Sequence, residues 1–387
     1  MYPNLYYMFK DLFGVEWELL KIIQSFGFFV AIAFLAGSYF FAKELKRKEE
    51  EGLLQSTTKK ILKGAKATPL ELILPGILGF VIGFKLLEII LNYQLFMENP
   101  QEFILSMKGS VIGGIIGGAI TAYLKYYEKE KERLNPPVWE SETIRPHEHV
   151  GNMTIIAALT GLLGAKIFHN LENFSEFLED PIEALLSFSG LTMYGGLICG
   201  AAAVLYYAKK NNLTATHVID ACVPALMLAY GIGRIGCHVA GDGDWGIVNL
   251  AAQPEWLSFL PEWTWAYHYP HNVLNDGIPI PGCEGKYCHM LPETVFPTAL
   301  YEVAMSIALF GVLWGIRKKI KAPGTLFSIY LIFNGLERFF IEKIRVNTVY
   351  DILGFHPTQA EIISVILIIL GITGIWYFGK KYKEKAG

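Results

Sequence analysis

The sequence predicts an all-α integral membrane protein of about nine transmembrane helices, with a loop or head region on one side of the membrane. Three observations lead there. The chain of 387 residues is 52% hydrophobic, 14% aromatic and only 18% charged, more apolar than a soluble domain normally buries. Its apolar residues come in blocks close to the ~20 residues that a helix needs to cross the hydrocarbon core. Lysine and arginine gather in alternate connections between those blocks, as the positive-inside rule requires of a chain that crosses repeatedly.

The first block, 20–43, has no basic region ahead of it and no small-residue cleavage site after it, so it reads as a retained helix. Further blocks follow near 70–96, 109–127, 150–169, 189–208 and 217–236, then 296–316, 324–342 and 359–379. The basic stretches are 43–66, 125–133, 209–210, 317–321 and 380–385, whereas 97–107 and 170–186 are acidic or neutral. This alternation puts the basic set in the cytoplasm, with the N-terminus and loop 237–295 outside and the C-terminus inside. Five regions follow: 1–45, an N-terminal arm and first helix; 46–149, a helical hairpin with basic loops; 150–236, a central hairpin and a glycine-rich helix; 237–295, the external head; and 296–387, the last helices. The net charge of −3 says little by itself, and no nucleic-acid partner is expected.

Of the five cysteines, Cys199, Cys222 and Cys237 belong to helices or their ends, where a small buried thiol is ordinary. Cys283 and Cys288 lie in the external loop, in PGCEGKYCHM. In an oxidising compartment a local disulfide is the leading reading. His268, His271 and His289 share that loop, which leaves a zinc site as the other reading, although the spacing matches no standard ligand pattern. No metal or other cofactor is expected.

The middle of the chain repeats at a spacing of 81 residues: 83–106 aligns with 164–187, with nine of 24 positions identical. The pairs are Gly83/Gly164, Lys85/Lys166, Asn92/Asn173, Phe96/Phe177, Glu98/Glu179, Pro100/Pro181, Glu102/Glu183, Leu105/Leu186 and Ser106/Ser187. After one inserted residue, VIGGIIGGA (111–119) matches MYGGLICGA (193–201). Shared hydropathy would not select the polar matches, so this is a parallel repeat of the kind membrane folds often carry. Tyr194 stands where the first copy has Ile112. On that difference 70–127 reads as scaffold, and 150–208 as the copy that carries chemistry.

Arginine within a membrane is expensive, by roughly 2.5 kcal/mol on insertion scales, so it usually has a task. Arg234 ends the sixth block in GIGRIGCHVAGDGDWG (231–246), and Arg338 sits late in the eighth, near Glu337, Glu342 and Arg345. Both lie towards the external side, where two guanidinium forks suit an anionic headgroup. The bland alternative is an interfacial arginine that snorkels or pairs with Glu337 or Glu342. The G-x-G-x-x-G match at 231–236 follows an apolar helix and precedes a polar loop, so it is no dinucleotide fingerprint, which needs a strand before it and a helix after it. In TMYGGLICG (192–200), Tyr194 is followed by Gly195 and Gly196, whose backbone N–H groups offer a place for an anion. A glycine packing face beside an aromatic-belt tyrosine is the commoner reading of such a stretch. PTALYEV (297–303) places Pro297 at a helix start, followed by Thr298, Tyr301 and Glu302.

Taken in order, five stretches resemble the prolipoprotein diacylglyceryl transferase family of bacterial inner-membrane enzymes. They are QSFGFFVAIAF, GLLGAKIFHNLENFSEFLEDPIEALLS with MYGGLICG, GRIGCHVAGDGDWG, FPTALYE and NGLERFFIEKIR. The likeness spans about 20–45 and 150–379 and leaves 69–148 as an addition. It implies transfer of diacylglycerol from phosphatidylglycerol to the lipobox cysteine thiol of a prolipoprotein signal peptide, with release of glycerol phosphate. It also implies a multi-pass protein of the inner membrane, N-terminus periplasmic and C-terminus cytoplasmic. Arg234 would then hold the phosphate, and Arg338 would stabilise the departing glycerol phosphate. Gly195, Gly196, Asp242, Gly246, Tyr301 and Glu342 would contribute to substrate binding. The sequence departs from the family pattern at Tyr194, in place of a histidine, at Cys237 and Ala240, in place of two asparagines, at Asp242, in place of a glutamate, and at Phe26, in place of a tyrosine. The thiol therefore has three possible routes to a thiolate: His238, Tyr194, or deprotonation assisted by the arginines alone. Two further readings stay open at this point, a catalytically silent relative that binds or moves anionic phospholipid, and a different phospholipid-derived group transfer.

Overall fold

The computed structural model describes residues 1–98, 103–104, 106–186, 192–347, 350–351 and 356–386. Among them, nine helices run for 18 residues or more. They are α1 (Ser25–Glu50), α2 (Pro69–Leu91), α3 (Val111–Lys131), α4 (Val150–Glu172), α5 (Met193–Lys210), α6 (Ala215–Ala240), α7 (Thr298–Ile316), α8 (Thr325–Glu342) and α9 (Gln359–Ala386). Each overlaps one predicted block. Several run on past it, α1 to Glu50, α3 to Lys131 and α9 to Ala386, because lysine and glutamate are good helix formers that hydropathy alone does not count. Six helical segments are long and apolar enough to cross a membrane by length and composition, based on α1, α2, α4, α6, α7 and α9. Glycine and tyrosine dilute α3 and α5, and Glu337, Arg338 and Glu342 interrupt α8.

The chain divides into two compact units, Met1–Pro3 with Ser25–Thr57 and Arg145–Gly387, and Asn4–Gln24 with Thr58–Ile144. The smaller unit contains α2 and α3 and strand Val138–Ile144, which pairs with strand Thr57–Lys63. Thr68 and Glu71 form a reciprocal capping box at the start of α2, and the Ser110 side chain accepts the Gly113 N–H to start α3. Lys85 donates to the backbone carbonyls of Phe103 at 3.0 Å and Lys108 at 2.8 Å, which satisfies the acidic turn between the helices.

In the larger unit α6 is the hub. It packs against α1 and α7, with α4 and α5 beside each other, and α8 against α9. One core joins Phe41, Leu45, Met153 and Ala208 to Val218, Ala221 and Ala225 of α6, and a second joins Val223 and Met227 to Leu313 and Leu326. The head following α6 is mostly loop. Its hairpin pairs Ile278 with Met290 and Pro279 with His289, and a Cys283–Cys288 disulfide closes the tip. Nδ1 of His268 and of His271 lie against backbone carbonyls, and Nδ1 of His289 is buried with no hydrogen-bond partner among the described residues.

The sequence repeat has a structural counterpart. A Cβ on Gly83 would lie 2.2 Å from the Gly113 carbonyl oxygen, and one on Gly164 2.6 Å from that of Gly195. These are matching positions of the two copies, so α2 crosses α3 as α4 crosses α5, backbone against backbone, which only glycine permits. The repeat members Pro100, Glu102, Leu105 and Ser187 lie outside the described residues.

Candidate functional site

Three connections bring the charged residues of the larger unit together. Gly241 takes a left-handed φ of 64° and ends α6, turning the chain into the 242–246 loop. Within that loop the Asp244 N–H donates to Asp242 Oδ1 at 3.3 Å, a local aspartate turn. The Thr298 hydroxyl then donates to the Asp244 carbonyl at 2.7 Å, tying the loop to the start of α7. Gly246 forms an antiparallel bridge with Arg345 and donates to the Phe296 carbonyl at 2.8 Å. A Cβ there would lie 2.4 Å from the Ile344 oxygen. Gly246 is thus a close-approach position that sets the loop against the turn after α8.

The product of this clamping is a closed ring of alternating charge. Arg234 Nε pairs with Glu302 at 2.6 Å, and Arg345 bridges Glu302 at 3.1 Å and Asp244 at 2.5 Å. Arg234 Nη1 and Asp244 close the ring. The Tyr230 hydroxyl, one turn before Arg234, donates to Glu302 and receives the Arg234 Nε–H at 3.2 Å. Glu302 is fully buried, and both guanidinium groups are nearly so. Such a ring holds its members in fixed positions, because every buried charge has two partners. Burial opposes the ionisation of Asp244, yet Arg234 and Arg345 outweigh it and hold its carboxyl below the ordinary carboxylate range. Asp242 moves the other way: burial first, then the charge of Asp244, push it up. Cys237, Asp242 and Asp244 bring possible metal-ligand atoms within 4.8 Å of one another. Both Asp244 oxygens, however, are held by arginines, whose charge repels a cation.

Around the ring lie polar atoms with no hydrogen-bond partner among the described residues: the Tyr301 hydroxyl, Arg345 Nε and both Glu337 oxygens, all buried. Among the described residues Arg338 has one ion pair, to Glu342 at 3.3 Å, and it is the most exposed of the three arginines. Asn347 donates to the other Glu342 oxygen at 2.5 Å. Arg338 and Glu342 both act electrostatically on Tyr194. Beside α6, an apolar cavity of about 310 Å³ is lined by Val30 and Phe34 of α1, Met153 and Ala157 of α4, and Leu226 and Gly233 of α6. It ends at the residue before Arg234.

The expected site residues therefore fall into three sets. Arg234, Asp242, Tyr301, Arg338, Glu342 and Tyr194 belong to the charged region or its edge. His238 lies one turn from Arg234 but in an aromatic box: its Nδ1 is 3.2 Å from the Tyr269 hydroxyl, and its ring stacks on Trp263. Gly195 and Gly196 lie in the crossing with α4, against Gly164, Phe168 and Gly161. The Gly196 N–H donates to the Thr192 carbonyl at 3.3 Å within the helix, and α4 fills the space where a Cβ would stand at Gly195. Arg345, Asp244, Glu302, Tyr230 and Glu337 complete the constellation, though sequence reasoning left them out of the site. The available signal was charge inside apolar helices, at Glu302 and Glu337 above all.

A family model described as prolipoprotein diacylglyceryl transferase matches residues 133–377. The chain is 29% identical over 261 residues to the phosphatidylglycerol–prolipoprotein diacylglyceryl transferase of Staphylococcus haemolyticus, covering 67% of this chain and 78% of that protein. It is 30% identical over 227 residues to the protein of the same description from Staphylococcus aureus strain Newman, covering 58% and 72%.

Proposed function

The chain belongs to the prolipoprotein diacylglyceryl transferase family, and from that premise we propose that it moves the diacylglyceryl group of phosphatidylglycerol onto a lipobox cysteine thiol. It is a membrane transferase of lipoprotein maturation. The reading places it in the bacterial inner membrane, with the head 237–295 and the arginine set on the periplasmic side, where a signal peptide presents its cysteine.

The observation that carries the reading is the set of three arginines, one of which, Arg234, follows the Gly233 wall of an apolar cavity. Two are locked by the ring, yet Arg234 Nη2 has no partner among the described residues. Among the described residues the Arg338 guanidinium is in an ion pair with Glu342 alone. Such donors suit a phosphodiester, and the apolar lining of the cavity that reaches Gly233 suits an acyl chain. In the transfer, the thiolate sulfur attacks the glyceryl carbon that bears the phosphate ester. The C–S bond forms as the C–O bond breaks, and the electron pair leaves on the phosphate oxygen, giving glycerol phosphate and a thioether. Guanidinium groups held in place before the reaction stabilise that developing anion without having to reorganise. The same field favours the thiolate, whose parent thiol has an ordinary pKa of about 8.5. Among the three routes to a thiolate, the geometry speaks against His238, whose ring is engaged by Tyr269 and Trp263, and the arginine-assisted route is the one we propose.

The test uses purified protein, phosphatidylglycerol and a lipobox peptide, with mass spectrometry for the thioether-linked diacylglyceryl product. Product formation is expected. Its absence, under conditions where an authentic family enzyme forms it, sinks the proposal and leaves a silent lipid-binding relative.

A further inference from the structure

At the other end of α6 from Arg234 lies a cavity of about 910 Å³. His217 on its wall is about 26 Å along the helix from Arg234, at a rise of about 1.5 Å per residue. The cavity is lined by Arg47 and Lys48 of α1, by Lys318 and Lys321 after α7, and by Lys381 of α9.

Five cations face two carboxylates in this wall, Glu51 and Asp220, and the charges of Asp220, Glu44 and Glu51 reach Lys48 without direct contact. Glu51 is held by Arg47 Nη1 at 2.5 Å. Asp220 accepts the backbone N–H groups of Gly324 at 2.7 Å and Phe327 at 2.9 Å. Lys48 is only 6% exposed, and among the described residues no carboxylate lies within 4.0 Å of its ammonium. Lysine is almost never this buried unless it is paired, because removing a charge from water without a counter-charge is costly. Lys318 and Lys321 likewise have no ion pair among the described residues. Nδ1 of His217 is buried and has no hydrogen-bond partner among the described residues. Apolar side chains, Leu53, Ile320 and Phe378, complete the wall.

We propose that this cavity is a binding site for a phosphate-bearing anion, with Lys48 as its buried anchor and Lys318 and Lys321 at its mouth. Two sources share that chemistry, a lipid headgroup and free phosphate, and the mixed apolar and basic lining suits the lipid. The site is separate from the transferase centre, so it stands whether or not the transfer reading does.

The test uses the full chain in neutral detergent, carrying Arg234→Ala so that headgroups bound at the opposite end are weakened. Native mass spectrometry with phosphatidic acid reads the affinity, and inorganic phosphate serves as competitor in a parallel arm. Lys48→Gln with Lys318→Gln and Lys321→Gln is expected to weaken lipid binding about tenfold or more, as loss of charge-assisted hydrogen bonds does. Lys318→Gln with Lys321→Gln alone changes two exposed side chains, so it keeps the test valid if the triple variant fails to fold, and it is expected to weaken binding by a smaller factor. Displacement of the lipid by millimolar phosphate assigns the site to free phosphate, and resistance to it assigns the site to a headgroup. Unchanged affinity in a folded triple variant, or in the double variant if the triple does not fold, overturns the proposal.

Discussion

At the Arg234 end of α6, two buried guanidinium groups are closed into a ring by Asp244 and Glu302. At the His217 end, Lys48 is equally buried and has no carboxylate within 4.0 Å among the described residues. The difference separates two uses of a buried cation. Charges that the protein itself neutralises give rigidity and fix neighbouring donors, which suits a centre that must hold its geometry while a new charge develops. A buried charge with no carboxylate in contact gives affinity for an anion that can reach it.

The sharpest way to break this comparison is to remove open donors at one end and leave the other intact. Arg338→Ala is expected to lower transfer by about 100- to 1000-fold, the usual cost of losing a donor to a developing anion. Lys48→Gln should leave turnover unchanged. Thioether formation by both variants, measured side by side, checks this, and equal losses would erase the functional distinction between the two ends.

The ring itself comes next. Asp244→Asn leaves two buried guanidinium groups short of a partner and is expected to cost about 3–5 kcal/mol of stability, read as a fall in Tm. The sign with pH follows from the two aspartates. Asp244, whose carboxyl is depressed, contributes stability above the ordinary carboxylate pKa of about 3.9, and that stability is lost as pH falls through its lower folded value. Asp242, raised by burial, costs stability when ionised, and protonation relieves the cost as pH falls through its higher folded value. Asp242→Asn should therefore raise the neutral-pH Tm while Asp244→Asn lowers it. Opposite or equal shifts in a thermal melt would remove the assigned roles.

The smallest effect is expected at His238→Ala. With its ring boxed by Trp263, Tyr267 and Tyr269, its loss should reduce transfer only a few-fold, through loosening of the head loop. A pH–rate profile that keeps its shape in the variant agrees with this, whereas loss of a limb near the histidine range would make His238 the base.

The two copies of the hairpin teach a related lesson. Their crossings use matching glycines, Gly83 with Gly113 and Gly164 with Gly195, and this was half legible from sequence. The repeat marked the positions, but the residues beside Tyr194 also fitted an anion-binding backbone. Only the approach of α4 shows that the space at Gly195 is filled by Phe168 and the Gly164 carbonyl.

The sequence alone determined the nine long helices, their approximate bounds, the family likeness and the two arginines expected at the external side. These follow from local or short-range patterns: apolar runs, flanking lysines and a fixed motif order. Tertiary structure decided which charges meet. Arg234, Asp244, Glu302 and Arg345 come from α6, the loop after it, α7 and the turn after α8. Their pairing depends on how Gly246 seats that loop against Ile344. The same holds for Lys48, whose burial beside Lys318 and Lys321 no spacing in the chain foretells, because ion pairing is a property of distance in space and not of position along the chain.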